Sequence, residues 1–451
     1  MEYKKAIEPV QLVEGTETEV TIINRYDFIS LDHLKCTYSI VGDGFTQDGG
    51  EIIIPSTAAG EATKLAIPKL SLPETKAETL LQLVFTLKEA TLWAEAGHEI
   101  TTIQVPIQSP IPVAASSSSA SSISVTEISQ AILEIKSDSS KWTFDCVLGA
   151  LTSWTKGDAE ILHTGPQLDF YRALTDNDEG RVGREWKAKN LHLMKPFTRS
   201  VTWTTKDGVV VIVCKQRIAP PVLEWSVDAD FTYTFNNTSL SIGVSGVPQG
   251  QNLPASFPRI GLTLSLNRTF ENVAWFGRGP GESYKDKKLS QNVGTYSMPV
   301  EKLMTDYEFP QENGNRTDTR WVKFVASSGA LTAKVLAKEE GFDFAAGHYH
   351  TADIDRSTHP YELRKCRVEE VVVRLDADHH GLGSQSCGKS PFLCIIDRHR
   401  SANVMVQVRR FCRNMHYKAK LLSSKCCWTM HRFVVPNSSM QAINPYRLIS
   451  S

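Results

Sequence analysis

Long apolar runs, paired cysteines, a leader-like N-terminus and any rhythm of strand, helix, strand are all missing from these 451 residues. No stretch approaches the roughly 20 apolar residues that cross a bilayer. The opening Met-Glu-Tyr-Lys-Lys-Ala-Ile-Glu-Pro-Val lacks the apolar centre of a secretory signal. A cytoplasmic protein with no membrane partner is therefore expected. The nine cysteines are odd in number and have no paired spacing, which fits reduced thiols better than a disulfide framework. Length alone points to two or three domains. With 41% hydrophobic and 22% charged residues, the chain is globular in composition rather than disordered.

Acidic residues and glycine are scarce at one end. Residues 389–451 hold a single acid, Asp397, and no glycine, against eleven Lys and Arg. Cys394, Cys412, Cys426 and Cys427 fall in the same stretch, just after Cys387. The net charge of −1 thus hides a basic tail behind an acidic body.

What is present is strand signal. Leu34, Cys36, Tyr38 and Ile40 alternate with polar neighbours, as do Leu81, Leu83, Phe85 and Leu87, the period expected of a sheet with one buried face. Residues 1–110 read as a small antiparallel sandwich. The Ser and Ala run within 111–124 has no periodicity and reads as a linker or surface loop. Residues 125–388 continue with strands: the apolar run Val209 to Cys214, then Phe231, Tyr233 and Phe235, a turn at Asn236-Asn237, and Leu240, Ile242 and Val244 returning. Val371 to Leu375 reads as a late strand. An all-β chain follows, a small sandwich and then a large antiparallel one.

Three loop-like islands stand out in the second half: Asp169 to Gly180 (DFYRALTDNDEG), Trp275 to Asp286 (WFGRGPGESYKD) and Tyr307 to Gly314 (YEFPQENG). In order and spacing they resemble the terminal β-sandwich of the glycoside hydrolase family 2 β-galactosidases, a fold similar to galactose mutarotase. Glu2 to Val10, Asn24 to Asp32 and Trp93 to His98 resemble that family's immunoglobulin-like domain, which lies between the catalytic barrel and the terminal sandwich. The resemblance runs from residue 2 to Gly388. It implies a part in hydrolysing terminal β-D-galactosides such as lactose.

The resemblance also implies particular residues. The segment after Thr175-Asp-Asn-Asp178, from Glu179 to Trp186, borders the family's substrate pocket, which makes Asp178 and Gly180 candidates for substrate binding. His380 to Gly388 is similar to a family motif in which the position of Cys387 reaches the galactose, so His380 and Cys387 join them. Arg172, Asp176, Asn177, Glu282, Glu312, Asn313, Trp93 and His98 are motif residues for which a structural role is expected. Asp176 to Asp178 are types that hold tight turns, and Arg278, Glu282 and Glu312 suit internal ion pairs.

Retaining galactoside hydrolysis needs two carboxyl groups about 5 to 5.5 Å apart. In the family both stand on a (β/α)₈ barrel, which would precede residue 1 together with its Mg²⁺ and Na⁺ ligands. No catalytic residue and no metal ligand are expected here. Glu339, Glu340, Glu369 and Glu370 are adjacent pairs that point apart on strands and read as surface charge. The barrel is an expected partner, in cis or on a second chain, and a homo-oligomer fits the complete enzyme. A noncatalytic small subunit, or a carbohydrate-binding or mutarotase-like protein acting alone, are the other readings.

After Gly388 the chain leaves the family pattern. Gly388-Lys-Ser390 can be encoded by a splice-donor sequence, so residues 389–451 are expected to be a translated intron that leaves a sheet edge exposed. Gly383 to Ser390 matches the phosphate-loop pattern G-x-x-x-x-G-K-S, but no parallel strand-helix units surround it. The basic tail could be taken for a nucleic-acid arm, although random translated sequence has the same composition, and no nucleic-acid partner is expected. His348, His350 and His359 form a short-range cluster that could ligate a metal, yet no cysteine or carboxylate completes an obvious set.

Overall fold

The computed structural model describes residues 2–70, 78–109, 123–180, 182–206, 208–237, 239–335, 341–383 and 404–409. Every strand pair in it is antiparallel, as the alternating patterns require. The first unit packs a four-stranded sheet, in the order Phe45–Ile52, Leu34–Gly42, Thr79–Leu87, Glu99–Gln108, against a three-stranded sheet of Val10–Gly15, Glu19–Asn24 and Ala62–Ala66. Val20, Ile22, Leu34, Cys36, Leu81, Leu83, Phe85, Ile103 and Val105 fill the space between them. Burying each of the larger side chains contributes about 1.5–3 kcal/mol. The alternation read from the sequence breaks at one place. The register of Leu34–Gly42 shifts between Tyr38 and Ser39, so Ser39 is buried and Tyr38 only partly so, as expected when an extra residue turns the following side chains over.

The second unit contains three sheets. A five-stranded sheet runs in the order Ala159–Glu160, Ala150–Lys156, Lys141–Asp145, Ile132–Lys136, Ser124–Glu127. A second five-stranded sheet runs Leu162–Asp169, Arg259–Leu266, Val371–His379, Phe342–Gly347, Arg316–Thr319. Nine strands form the third: Lys195–Lys206, Val209–Ala219, Trp225–Asn236, Ser239–Gly250, Val404–Arg409, Gly329–Val335, Trp321–Ala326, Asn272–Gly279, Asn292–Pro299. One apolar core joins them, with Trp142, Trp154, Tyr233, Leu262, Phe324 and Leu375 among its members. The hairpin read around Asn236-Asn237 forms, with Phe235 opposite Leu240, Tyr233 opposite Ile242 and Phe231 opposite Val244.

Two expectations are corrected. The tail does not stand wholly apart from the fold: Val404–Arg409 pairs with Ser239–Gly250 on one side and Gly329–Val335 on the other, in the interior of the nine-stranded sheet. The sheet edge expected to be open is paired there. Asp176 to Glu179, read as a tight turn, is a short helix continued by a second helix at Val182–Ala188. Segments of four and seven residues are too short to display a 3.6-residue pattern.

The two units touch directly. Val41 and Leu80 of the first pack on Phe276 and Val293 of the second, with Trp321 alongside. The Gln104 amide accepts from the Val293 N–H and donates to the Val293 carbonyl, both at 2.8 Å. Arg320 grips both oxygens of Glu78 at 2.6 Å.

Candidate functional site

The site is built around Arg172, whose side chain is fully buried. Its Nη2 lies 2.9 and 3.0 Å from the two oxygens of Asp178 and donates to the Gly381 carbonyl at 3.1 Å. Its Nη1 donates to the His380 carbonyl and meets His379 Nδ1 at 3.1 Å. The same Nδ1 lies 3.0 Å from the His380 carbonyl, which can only accept, and burial, followed by the charge of Arg172, holds His379 well below its ordinary pKa. One Asp178 oxygen also accepts from the backbone N–H and hydroxyl of Thr175, each at 3.0 Å. Asp178, the third residue of the helix that begins at Asp176, thereby satisfies the N–H of Thr175 at the helix N-cap position.

Trp186, on the next helix, closes this cluster. Its ring lies 5.5 Å from the Arg172 guanidinium and edge-on to His380 at 5.2 Å, and its Nε1 donates to Ser256 Oγ at 3.1 Å. His380 is buried, which lowers its pKa, and its Nε2 has no hydrogen-bond partner among the described residues. Asp286 completes the arrangement by accepting from the N–H groups of Leu382 at 3.0 Å and Gly383 at 2.9 Å. A Cβ on Gly381 would lie 2.4 Å from Asp286 Oδ2, so this approach requires glycine there.

The anticipated residues therefore divide. Arg172, Asp178 and His380 come together with the segment Gly381–Gly383. Asp176 and Asn177 are exposed on the short helix, where Gln311 Oε1 accepts from the Asp176 N–H at 3.3 Å. Gly180 has φ −68°, an ordinary helical value, and open space where a Cβ would stand. Glycine is not demanded at that position. Glu282 accepts from Lys287 at 2.8 Å, from the Tyr307 hydroxyl at 2.7 Å and from the Gly314 N–H at 3.1 Å. Burial pushes its carboxyl up, but these bonds hold it below the usual value. Glu312 is buried with Arg374 3.8 Å away, and Asn313 binds the Thr305 N–H at 3.0 Å and the Gln311 carbonyl at 2.9 Å. Trp93 and His98 are exposed in the first unit, in edge contact at 5.4 Å. Cys387 lies outside the described residues, as do Glu339, Glu340 and most of the phosphate-loop pattern.

The histidine cluster is not assembled as anticipated. His348 is buried against the Glu370 carbonyl and Glu271, His350 meets the Glu370 carboxylate at 3.4 Å, and His359 begins the helix Pro360–Lys365. Among the described residues no group of three or more His, Cys, Asp or Glu is placed to hold a metal ion. Glu370 is correspondingly not free surface charge. Asp286, Asp355 and His379 were missed, because their partners are distant in sequence and their identities are common in loops. Asp355 binds the Tyr171 hydroxyl at 3.0 Å and the Leu174 N–H at 3.2 Å, holding the same segment from its other side.

The carboxylates gathered here hold structure. Asp169 and Asp376 converge, but both grip the buried guanidinium of Arg259, at 3.2 and 2.8 Å. Burial pushes the Asp376 carboxyl up to about 6 against the pull of Arg259. A pair neutralised in this way offers no nucleophile beside a free acid. What the cluster can do is fix the loop Arg172–Trp186 and the segment His380–Gly383 against each other.

Comparison with known proteins agrees with this picture. A family model described as "Beta galactosidase small chain" matches residues 136–395, and one described as "Beta-galactosidase, domain 4" matches residues 20–108. A β-galactosidase of Kluyveromyces lactis is 30% identical over 89% of this chain, and one of an Arthrobacter species is 27% identical over 90%. The chain spans 36% and 41% of the lengths of these two relatives. A galactose mutarotase-like protein from Clostridium acetobutylicum overlays 66% of this chain and 99% of its own at 9% identity, with a TM-score of 0.35, too low to bear on the fold. The small-chain match extends past Gly388, where the family pattern was read as ending, and takes in more than half of the sequence. On that ground this chain belongs to the β-galactosidase small-chain family.

Proposed function

We propose that this chain is the C-terminal portion of a β-galactosidase acting on terminal β-D-galactosides such as lactose, and that it supplies one wall of the galactose pocket rather than the chemistry. The observation that carries the reading is the double anchoring of residues 381–383. The Gly381 carbonyl is held by Arg172, and the Leu382 and Gly383 N–H groups are held by Asp286. Cys387, four residues further on, would then be delivered to the sugar from a fixed base, beside a loop fixed by the same guanidinium. Asp178 and His380 act as positioning groups in this reading, and Gly180 leaves room at the rim. Positioning of this kind lowers a barrier only when a reacting group is supplied.

That group is the carboxyl pair of a catalytic barrel, together with its Mg²⁺ and Na⁺. The barrel belongs in cis or on a second chain; the first is supported by the relatives, in which the matching region is about two fifths or less of a longer chain. No helix among the described residues is long and apolar enough to cross a membrane, and Cys36, Cys146, Cys214 and Cys366 are free thiols. Both support a cytoplasmic setting. The test is hydrolysis of a nitrophenyl β-galactoside by the pure chain, by a barrel-bearing chain, and by the two joined in one polypeptide or mixed. Turnover only when the two are together is expected, in the joined form if the barrel belongs in cis and in the mixture if it belongs to a second chain, with a raised KM on Cys387→Ala. Turnover by the pure chain overturns the proposal.

A further inference from the structure

Residues 280–291 join the strands Asn272–Gly279 and Asn292–Pro299, and three successive residues of this loop grip the end of the strand Val371–His379 and the segment after it. Tyr284 is fully buried, its ring tilted against His379 with centroids 5.3 Å apart. Lys285 Nζ donates to Asp378 at 3.0 Å, and Asp286 accepts from the Leu382 and Gly383 N–H groups. Tyr284 and Lys287 exchange both of their backbone hydrogen bonds at 2.9 Å, which closes the turn that presents Lys285 and Asp286. The rest of the loop is braced from within the second unit. Arg278 Nη1 donates to the carbonyls of Lys288 and Gln291 at 3.1 and 2.8 Å, and Lys288 Nζ donates to Asp318 at 3.0 Å.

The far end of the same loop is held from the first unit. Both oxygens of Glu2 accept backbone N–H groups, Oε1 from Leu289 at 2.8 Å and Oε2 from Ser290 at 2.9 Å. Two successive N–H groups on one carboxylate make charge-assisted bonds that fix orientation as well as position. Burial pushes the Glu2 carboxyl up, yet these bonds hold it below its usual value. Glu2 opens the short helix Glu2–Ala6, which is tied to the first unit through Lys4 Nζ on the Glu99 carbonyl at 2.9 Å and Lys5 on Glu8 at 2.7 Å. In the cis form of the proposed enzyme, the barrel's polypeptide enters through this helix. We propose that Glu2 is a positioning residue for the galactose pocket, acting through Leu289, Ser290 and the Tyr284–Asp286 turn on residues 381–383. The inference rests on the reading of those residues as the base of the pocket wall. With Glu2 in place, the loop cannot tilt away from Gly381–Gly383. Without it, the Leu289 and Ser290 N–H groups turn to water and the loop opens locally, as weakly held parts of a fold do. A wall ordered before the substrate arrives spares the cost of ordering it on binding.

The test is amide hydrogen exchange at residues 380–383 of the full chain, read by mass spectrometry with fragmentation. Glu2→Ala should speed exchange there roughly tenfold, the loss of one charge-assisted hydrogen bond. Glu2→Gln keeps an acceptor oxygen and should recover part of the protection. Glu78→Ala breaks the seam at Arg320 without touching the loop and should leave exchange at 380–383 unchanged. In a polypeptide joined to a catalytic barrel, Glu2→Ala and Asp286→Ala should both raise KM for a nitrophenyl β-galactoside with kcat little changed. Unaltered exchange in Glu2→Ala, equal acceleration in Glu78→Ala, or a KM that moves with Asp286→Ala but not with Glu2→Ala overturns the proposal. Faster exchange with KM unmoved in both variants supports the coupling and overturns instead the placing of residues 381–383 at the galactose pocket.

Discussion

Arg172 and Asp178 meet in the interior of the second unit, neither more than 2% exposed, with one guanidinium nitrogen shared between both carboxylate oxygens. Removing one partner strands a charge out of water. Arg172→Met or Asp178→Ala is therefore expected to cost about 3–5 kcal/mol, read by equilibrium urea unfolding. A loss below about 1 kcal/mol, the range of exposed pairs, would mean that the pair is effectively solvated. The double variant Arg172→Met/Asp178→Leu should cost well under the sum, because neither charge is then left alone.

Gly165, in the strand Leu162–Asp169, lies against the backbone of the strand Ala150–Lys156. A Cβ there would stand 1.7 Å from the Leu151 carbonyl oxygen. Backbone cannot rotate away as a side chain can, so Gly165→Ala should destabilise by about 3 kcal/mol or more. A melting temperature unchanged by the substitution would show that the two sheets slide freely.

Acid should weaken the fold through its buried imidazoles. Burial lowers both His379 and His380 from their ordinary value, so below about pH 6.5 the unfolded chain takes up protons that the folded one refuses. Their contribution is complete above that pH and falls as pH drops through it, by up to about 1.4 kcal/mol per pH unit for each histidine. Asp376 acts in the opposite sense between its raised value of about 6 and its ordinary 3.8, where the folded carboxyl holds the extra proton. At about pH 6 the two effects overlap, so urea unfolding there is compared between the parent chain and a variant lacking one imidazole. His379→Gln should flatten the slope there, and an identical slope in the variant would count against a neutral His379.

Polar contacts across the seam between the units include the Trp321 Nε1 on Asp43, the Leu289 and Ser290 N–H groups on Glu2 and the Gly44 N–H on Thr295. Arg320 is bidentate on Glu78, and Gln104 satisfies both backbone groups of Val293. Gln104→Ala/Arg320→Ala should cost about 2–3 kcal/mol, counting the buried groups left unpaired. Scanning calorimetry would then resolve two transitions where the parent chain gives one. A single transition retained in the variant would assign the coupling to these remaining contacts and to Val41, Leu80, Phe276 and Val293 instead.

Much of the fold was legible because strands with one wet face advertise their period. Phe231, Tyr233 and Phe235 and their returning partners Leu240, Ile242 and Val244 could be paired from the sequence, with the turn between them fixing the register. Short helices could not be read, since Val182–Ala188 completes barely two turns. Within the site, the resemblance supplied Arg172, Asp178 and His380 as residues, but not the guanidinium that joins them. The Arg259 pairing spans 90 residues to Asp169 and 117 to Asp376, and nothing local in the sequence encodes so distant a partner. The tail gave the least warning, because Val404–Arg409 carries its strand signal inside a composition unlike the rest of the chain.

Val404–Arg409 is the last of the described strands in chain order, yet it sits fifth of nine in its sheet. During synthesis, the leaf ending at Ser239–Gly250 and the leaf beginning at Gly329–Val335 leave the ribosome long before the strand that separates them. Each nascent leaf must wait with one flank unsatisfied, and the gap closes on one side through contacts more than 150 residues apart in the chain, as when Ser239 meets Arg409, and on the other through nearer pairs such as Thr332 with Arg409. Pairings of such separation form slowly, so the emerging chain carries a window of vulnerability in which a chaperone, or a stray strand from another polypeptide, competes for the vacant lane.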